Sequence, residues 1–138
     1  MIILDTNVVS ELIRNAPDLG VRAWANTQAR DSLVTTAITV MELRAGVEKL
    51  LQRRRRQKLE ADIDWALNDR LGGHVLRYDR RAAFATAEWF GRCRRAGRSI
   101  QTIDMQIAIS RKIPIATRDV QDFEHIGVKL INPWSTSA

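Results

Sequence analysis

The sequence predicts an α/β fold built on a central, mainly parallel, five-stranded sheet. Short apolar runs over 2–4, 32–38, 75–78, 113–116 and 128–131 alternate with stretches of helical periodicity. The first run, Ile2-Ile3-Leu4, is apolar at every position, as befits a strand covered on both faces. Each run also ends at once on turn or cap chemistry, beginning with Asp5-Thr6-Asn7.

The elements follow in order. Asn7 or Asp5 caps a short helix over 8–13, which Asn15-Ala16-Pro17-Asp18 breaks. Asp18 caps a second helix running through Trp24. After the strand over 32–38, Thr39 opens a long helical stretch. Its apolar positions are Val40, Leu43, Val47, Leu50 and Leu51, then Leu59, Ile63, Leu67 and Leu71. Roughly thirty residues exceed one ordinary helix, so the spacing predicts a pair broken near 52–56 and stopped by Gly72-Gly73. Asp79 caps the next helix, where Phe84, Ala87, Phe90 and Cys93 form an apolar stripe, and Gly97 ends it. A helix from about 102 to 111 precedes the fourth strand, and a turn or short helix around Phe123 precedes the fifth. No repeat or internal boundary interrupts this order, which predicts one domain over 1–134 and a loose tail over 135–138.

Composition narrows the function. With 138 residues, 45% hydrophobic and 28% charged, the chain fits one globular domain and not a disordered segment. Cys93 is the single cysteine, which excludes an intrachain disulfide and reads as a small core residue in a reducing compartment. No apolar run approaches the roughly 20 residues that span a bilayer. Asp5 interrupts a signal peptide, so the cytoplasm is the expected location. The net charge is +6, and 18 of the 22 basic residues are arginine. Forked guanidinium groups favour phosphate or carboxylate partners, meaning nucleic acid or an acidic protein segment. Arg53-Arg54-Arg55-Arg56 concentrates that charge at a helix end or bend. It suits either a solvated helix C-terminus or a contact with phosphate or an acidic peptide. Trp24, Trp65, Trp89 and Trp134 read as core or interface residues ahead of base-stacking platforms.

Sites in parallel α/β sheets form outside the C-terminal ends of the strands. Asp5, Thr6 and Asn7 follow the first strand, Glu42 follows the second, and Thr117, Arg118, Asp119 and Asp122 follow the fourth. Asp104 lies near the start of the helix before it. Each acid taken singly is as well explained as a helix cap, and Thr39-x-x-Glu42 has capping-box spacing. Taken together they suggest an all-oxygen pocket of the kind that suits Mg²⁺ or Mn²⁺. Zinc is poorly served, since Cys93, His74 and His125 show no ligand spacing. A basic protein with an acidic pocket suits phosphodiester cleavage, in which arginines offset the polyanion and a metal activates water.

Four segments, "MIILDTNVVSEL", "AITVMELRAG", "TIDMQIAI" and "ATRDVQDFEHIGVKLINPW", together resemble a PIN-domain ribonuclease, more narrowly a VapC or FitB-type toxin. The resemblance spans nearly the whole chain in the expected order. It implies a PIN-like three-layer α/β/α sandwich and a Mg²⁺-dependent endoribonuclease restrained by a cognate VapB- or FitA-like antitoxin. It also implies a homodimer, and a hetero-oligomer with the antitoxin. The family's acids map onto Asp5, Glu42, Asp104 and Asp122, with Asp5 and Asp104 as the main metal ligands and Glu42 and Asp122 acting through water. Asp119 shares or replaces the role of Asp122. Thr6, Asn7 and Thr117 would orient carboxylates or waters. Arg44, Arg53, Arg54, Arg55, Arg56, Arg98 and Arg118 are candidate contacts for RNA or antitoxin. One departure stands out. Only seven residues, 109–115, separate Ala108 from Ala116, roughly one helical turn fewer than is usual in such proteins.

Two other readings fit the residues. An aspartyl-phosphate mechanism through Asp5 would want a second Asp two residues on, and that position is Asn7. A catalytically weak regulatory subunit would use the arginines to grip nucleic acid and the acids only as caps.

Overall fold

The computed structural model describes residues 1–99, 108 and 111–135. Its centre is a five-stranded, all-parallel sheet of β1 (Ile2–Leu4), β2 (Leu33–Thr36), β3 (Val75–Leu76), β4 (Ile115–Ala116) and β5 (Leu130–Ile131). The spatial order is β3-β2-β1-β4-β5. Ile3 lies opposite Val34 on one side and Ile115 on the other, and Leu4 opposite Ala116, which makes β1 the central strand. From β1 the chain builds outward to β2 and β3, then crosses back to build β4 and β5. The gap between β1 and β4 is therefore the switch point where such sheets open a crevice at their C-terminal ends.

Alternation along the strands sorts the core into two layers. Leu4, Leu33 and Ala116 face one layer, which holds Val8 and Val9 of α1 (Thr6–Leu12) and Val21 and Ala25 of α2 (Leu19–Thr27). Leu43 and Val47 of α3 (Ala37–Glu48) and Ile63 of α4 (Arg53–Trp65) complete it. Ile3, Val34 and Ile115 face the opposite layer with Ala108 and Phe123, the latter in α6 (Val120–Phe123). This is the α/β/α sandwich expected from the sequence.

Local chemistry explains the boundaries. Asp18 caps α2 by accepting from Gly20 N–H and Val21 N–H. Residues 49–52 break the long helical stretch into α3 and α4, and a π-helical turn (Ala66–Arg70) and Gly72-Gly73 end the pair. Gly97, at φ 67°, supplies the left-handed residue after α5 (Arg80–Arg95). The described end of the short segment, 111–115, leads into the sheet without disturbing it. Ile3 N–H donates to Pro114 O at 2.8 Å and Asp5 N–H to Ala116 O at 3.0 Å, so β4 keeps its register on β1.

Several expectations change. The second strand ends at Thr36, and Thr36 rather than Thr39 caps α3, accepting from Thr39 N–H at 3.1 Å. The Thr39–Glu42 spacing is thus not a capping box, because the hydroxyl one turn earlier already occupies the cap. The arginine run opens α4 instead of closing a helix, so its charges oppose the dipole there. Of the expected α5 stripe only Cys93 holds, as a buried core residue. Phe84 and Phe90 are more than half exposed, while Ala82, Thr86 and Cys93 are buried. That helix buries its small side chains, a face that aromatic weighting overlooks. Trp65 is likewise about half exposed. The helix expected over 102–111 lies mostly outside the described residues, as do residues 136–138 of the tail.

Ile63 is completely buried and anchors α4 to the larger core layer. Ile63→Ala is expected to lower stability by about 2–5 kcal/mol, read by urea unfolding. A loss below about 0.5 kcal/mol would show that α4 is not tied in through this side chain.

Candidate functional site at the switch point

The C-terminal ends of β1 and β4 bring Asp5 and Thr117 face to face. Asp5 is almost fully buried, and both of its carboxylate oxygens are held. Oδ1 accepts from Thr6 N–H at 2.7 Å, and Oδ2 accepts from the Thr117 hydroxyl at 2.9 Å. Thr117 is itself fixed at the end of β4, its N–H donating to Ile131 O at 2.9 Å. The same Thr117 hydroxyl accepts from Asp119 N–H at 3.1 Å, which sets the direction of the following turn.

Two further carboxylates approach from opposite sides. Glu42, in the second turn of α3, accepts from the Thr6 hydroxyl. That hydroxyl also lies 3.2 Å from the Thr39 hydroxyl. Thr6 therefore does more than cap a turn: it joins α1 to α3 and aims Glu42. Asp119 Oδ2 accepts from Asn7 Nδ2 at 2.6 Å and makes no helix-capping bond of its own. Asn7 and Thr6 thus each position one acid, and Thr117 positions Asp5.

Burial raises the Asp5 carboxyl above its ordinary value of 3.8, and the charges of Glu42 and Asp119 push in the same direction. The bonds from Thr117 and Thr6 oppose the rise without cancelling it. No described basic side chain is paired with Asp5. The side chains gathered here present oxygens throughout, a set whose chemistry suits a hard divalent cation. Among the described residues no three acids are close enough to hold a metal ion by themselves. A cation fits here as one that keeps several of its waters.

The remaining expected residues divide. Asp122 follows Asp119 in the first turn of α6, and the two line a small cavity with Asn132. Asp104 lies outside the described residues. Arg118 stands between Thr117 and Asp119. Arg44 is paired with Asp64 of α4, and Arg56 with Glu48 at 3.1 Å, so these two arginines fasten α3 to α4. Arg53, Arg54 and Arg55 make no ion pair among the described residues. Arg98 lies just beyond Gly97, and no described side-chain contact joins it to the acidic edge. His74 precedes β3 and so stands at the opposite edge of the sheet.

Sequence reasoning missed two features beside the acids. One is a groove of about 710 Å³ that runs from Thr6 and Glu42 between α1 and the α3–α4 pair. Ile13, Leu43, Leu50 and Leu59 give it apolar lining, and Arg55 and the Lys58–Asp62 pair line it as well. The other is the contact of Arg118 with Trp134, whose guanidinium carbon sits 5.3 Å from the ring centroid. An aromatic directly after the fifth strand was the available signal for that contact.

An all-parallel sheet with carboxylates gathered outside its switch point defines a class of compact α/β proteins with an acidic site. The chain belongs to the PIN-domain family, which residues 2–129 match, within the group that includes VapC and FitB. It is 36% identical to the VapC ribonuclease Y4jK of Sinorhizobium fredii over 97% of this chain and 98% of that one. It is 34% identical to toxin FitB of Neisseria gonorrhoeae over 97% and 99%. A solved structure of FitAB bound to a DNA fragment matches with TM-score 0.86 and 30% identity, covering 100% of this chain and 99% of that one.

The raised Asp5 carboxyl has a pH consequence. The folded chain holds this proton more tightly than the unfolded chain, so ionising Asp5 costs stability. That cost is absent below the ordinary value of 3.8, grows as pH rises through the raised value, and is complete above it. In metal-free buffer at pH 7, Asp5→Asn is therefore expected to melt above the parent, with the gap closing toward pH 3.8. Millimolar Mg²⁺ should raise the melting temperature of the parent by a few degrees and leave Asp5→Asn unmoved. Equal melting of the two proteins at every pH and Mg²⁺ concentration would contradict the electrostatic description.

Proposed function

We propose that this protein is a Mg²⁺-dependent endoribonuclease, the toxin of a toxin–antitoxin pair, which hydrolyses RNA phosphodiester bonds at the switch-point acids. The observation that carries the reading is Asp5: a carboxylate buried at the end of the central strand, beside two more acids and, among the described residues, with no basic side chain paired to it. A structural cap has no need of that arrangement, whereas a divalent cation does. The names of the relatives, ribonuclease and toxin, support the activity and the biological class.

In this reading Asp5 is the principal cation ligand among the described residues, and Asp104 joins it. Glu42 and Asp119 act through water, with Asp122 as the further acid on the same edge. A bound Mg²⁺, or Mn²⁺, supplies a polarised water and offsets charge at the phosphate. Thr6 and Thr117 keep the Asp5 oxygens fixed, so little reorganisation accompanies substrate binding. Asn7 keeps Asp119 turned toward the site. The arginine excess attracts the RNA backbone, and the cytoplasm is where such a substrate is met.

The antitoxin has a place in the same reading. The apolar groove beside Thr6 and Glu42 suits an extended or helical segment with apolar side chains. Arg55 on its lining, which makes no ion pair among the described residues, suits an acidic residue on that segment. An antitoxin lying there would reach the acidic edge and block it.

Asp5→Asn is expected to reduce Mg²⁺-dependent RNA cleavage by at least about 100-fold, the scale of losing one preorganised charged group. Thr117→Val should cost about 10- to 100-fold through misplacement of Asp5. Products should carry 5′-phosphate and 3′-hydroxyl ends. Undiminished cleavage by Asp5→Asn, or cyclic-phosphate ends, would rule out hydrolysis at this site.

A further inference from the structure

Arg118 and Trp134 are not used by the acidic cluster, yet they are built into its wall. Trp134 packs one side against the larger core layer. Its N–H donates to Asn132 Oδ1 at 3.0 Å, and Ser135 N–H donates to Asn132 O at 3.1 Å, which fixes the turn that carries it. Arg118 is exposed, lies over the indole, and makes no ion pair among the described residues. Its backbone is held between Thr117, the partner of Asp5, and Asp119, the partner of Asn7. Open cavities of about 560 Å³ and about 350 Å³ flank it, and both reach Asp119.

We propose that the Arg118–Trp134 pair is a nucleotide subsite, where a base next to the cleaved phosphate stacks on the pair and the adjoining phosphate meets the Arg118 charge. The inference rests on the nuclease reading and adds to it the part of the substrate that is recognised. A guanidinium backed by an aromatic ring offers a sequence-tolerant stacking surface for unpaired bases. The larger cavity is lined by two polar pairs, Asn7 with Asp119 at 2.6 Å and Arg14 with Glu11 at 3.1 Å, whose remaining donor and acceptor positions can meet a base edge. Because Arg14 is already paired with Glu11, the cavity leaves Arg118 as its one unpaired cation among the described residues, enough for one phosphate beside a neutral base. Sequence reasoning ranked Trp134 as a core or interface side chain ahead of a base-stacking platform. Its inner side packs on the core, and its outer side carries Arg118, with which it forms the platform.

The test measures binding of a 2′-O-methyl RNA hexanucleotide in EDTA, together with versions carrying one abasic nucleotide at each position. In the parent, one abasic position should weaken binding by about 5- to 100-fold. Arg118→Ala should weaken the intact oligonucleotide by a similar factor and make that abasic position indifferent. Arg118→Lys, which keeps charge without the planar group, should not restore the discrimination. An unchanged Mg²⁺-induced melting rise shows that these variants keep the fold and the acidic site. Abasic penalties equal in parent and Arg118→Ala would overturn the subsite, as would full restoration by Lys. So would a loss confined to binding of an acidic peptide, which would assign Arg118 to a protein partner. The measurement needs no cleavage. Coupling in a chain that cuts no RNA keeps the subsite and removes the nuclease reading; cleavage without coupling does the reverse.

Discussion

A carboxylate taken out of water at the end of a buried strand must be compensated, and in this protein that requirement falls on Asp5. Its hydrogen bond from Thr117 spans the one gap in the sheet where the chain changes direction. That bond is possible only because β1 and β4 are adjacent, parallel and in register through Leu4 and Ala116. The two core layers exist on either side of this strand pair, so the packing and the site share one geometric condition. Two hydrogen bonds lower the cost of the buried charge without removing it, and Glu42 and Asp119 add to it. The architecture thus stores an electrostatic demand at one point, which a cation would meet.

The charges elsewhere are organised differently. Arg44–Asp64, Arg56–Glu48 and Lys58–Asp62 are exposed pairs on or between α3 and α4. Such pairs contribute about 0–1 kcal/mol each and chiefly set how the two helices lie. Arg53, Arg54 and Arg55 open α4, where the helix dipole is already positive and the N-cap residue, Gln52, makes no side-chain capping bond. The arrangement is tolerable in solvent and favourable beside an anion. Arg55 lines the groove that begins at Thr6 and Glu42, so positive charge and the acidic edge share one surface, and a net charge of +6 adds attraction at long range. Both suit a polyanionic substrate.

Much of this was legible in the residues. The five apolar runs and their polar stops gave the strands, and the strand-end rule led to Asp5, Thr6, Asn7, Glu42, Thr117 and Asp119 before any coordinates. Asp104 is the exception, since its segment lies outside the described residues. Where pattern failed, a specific competitor explains it. Thr36 and Thr39 are both good caps, and only the end of β2 decides between them. The α5 stripe went to the phenylalanines because hydrophobicity counts large side chains, whereas close packing selected alanine and threonine. The preference for Asp119 over Asp122 beside Asp5 depends on Asn7, more than a hundred residues away, a pairing that no local window contains.

A divalent cation proposed at Asp5 is open to direct observation. Mn²⁺ titrated at sub-stoichiometric amounts into isotopically labelled protein tests it through paramagnetic broadening of individual amide signals. Asp5, Thr6, Thr117 and Asp119 are expected to broaden first, and Asp5→Asn should abolish that order. Broadening that begins instead at solvent-exposed acids such as Asp18, Asp31 or Glu88, with the switch-point amides unaffected, would contradict it.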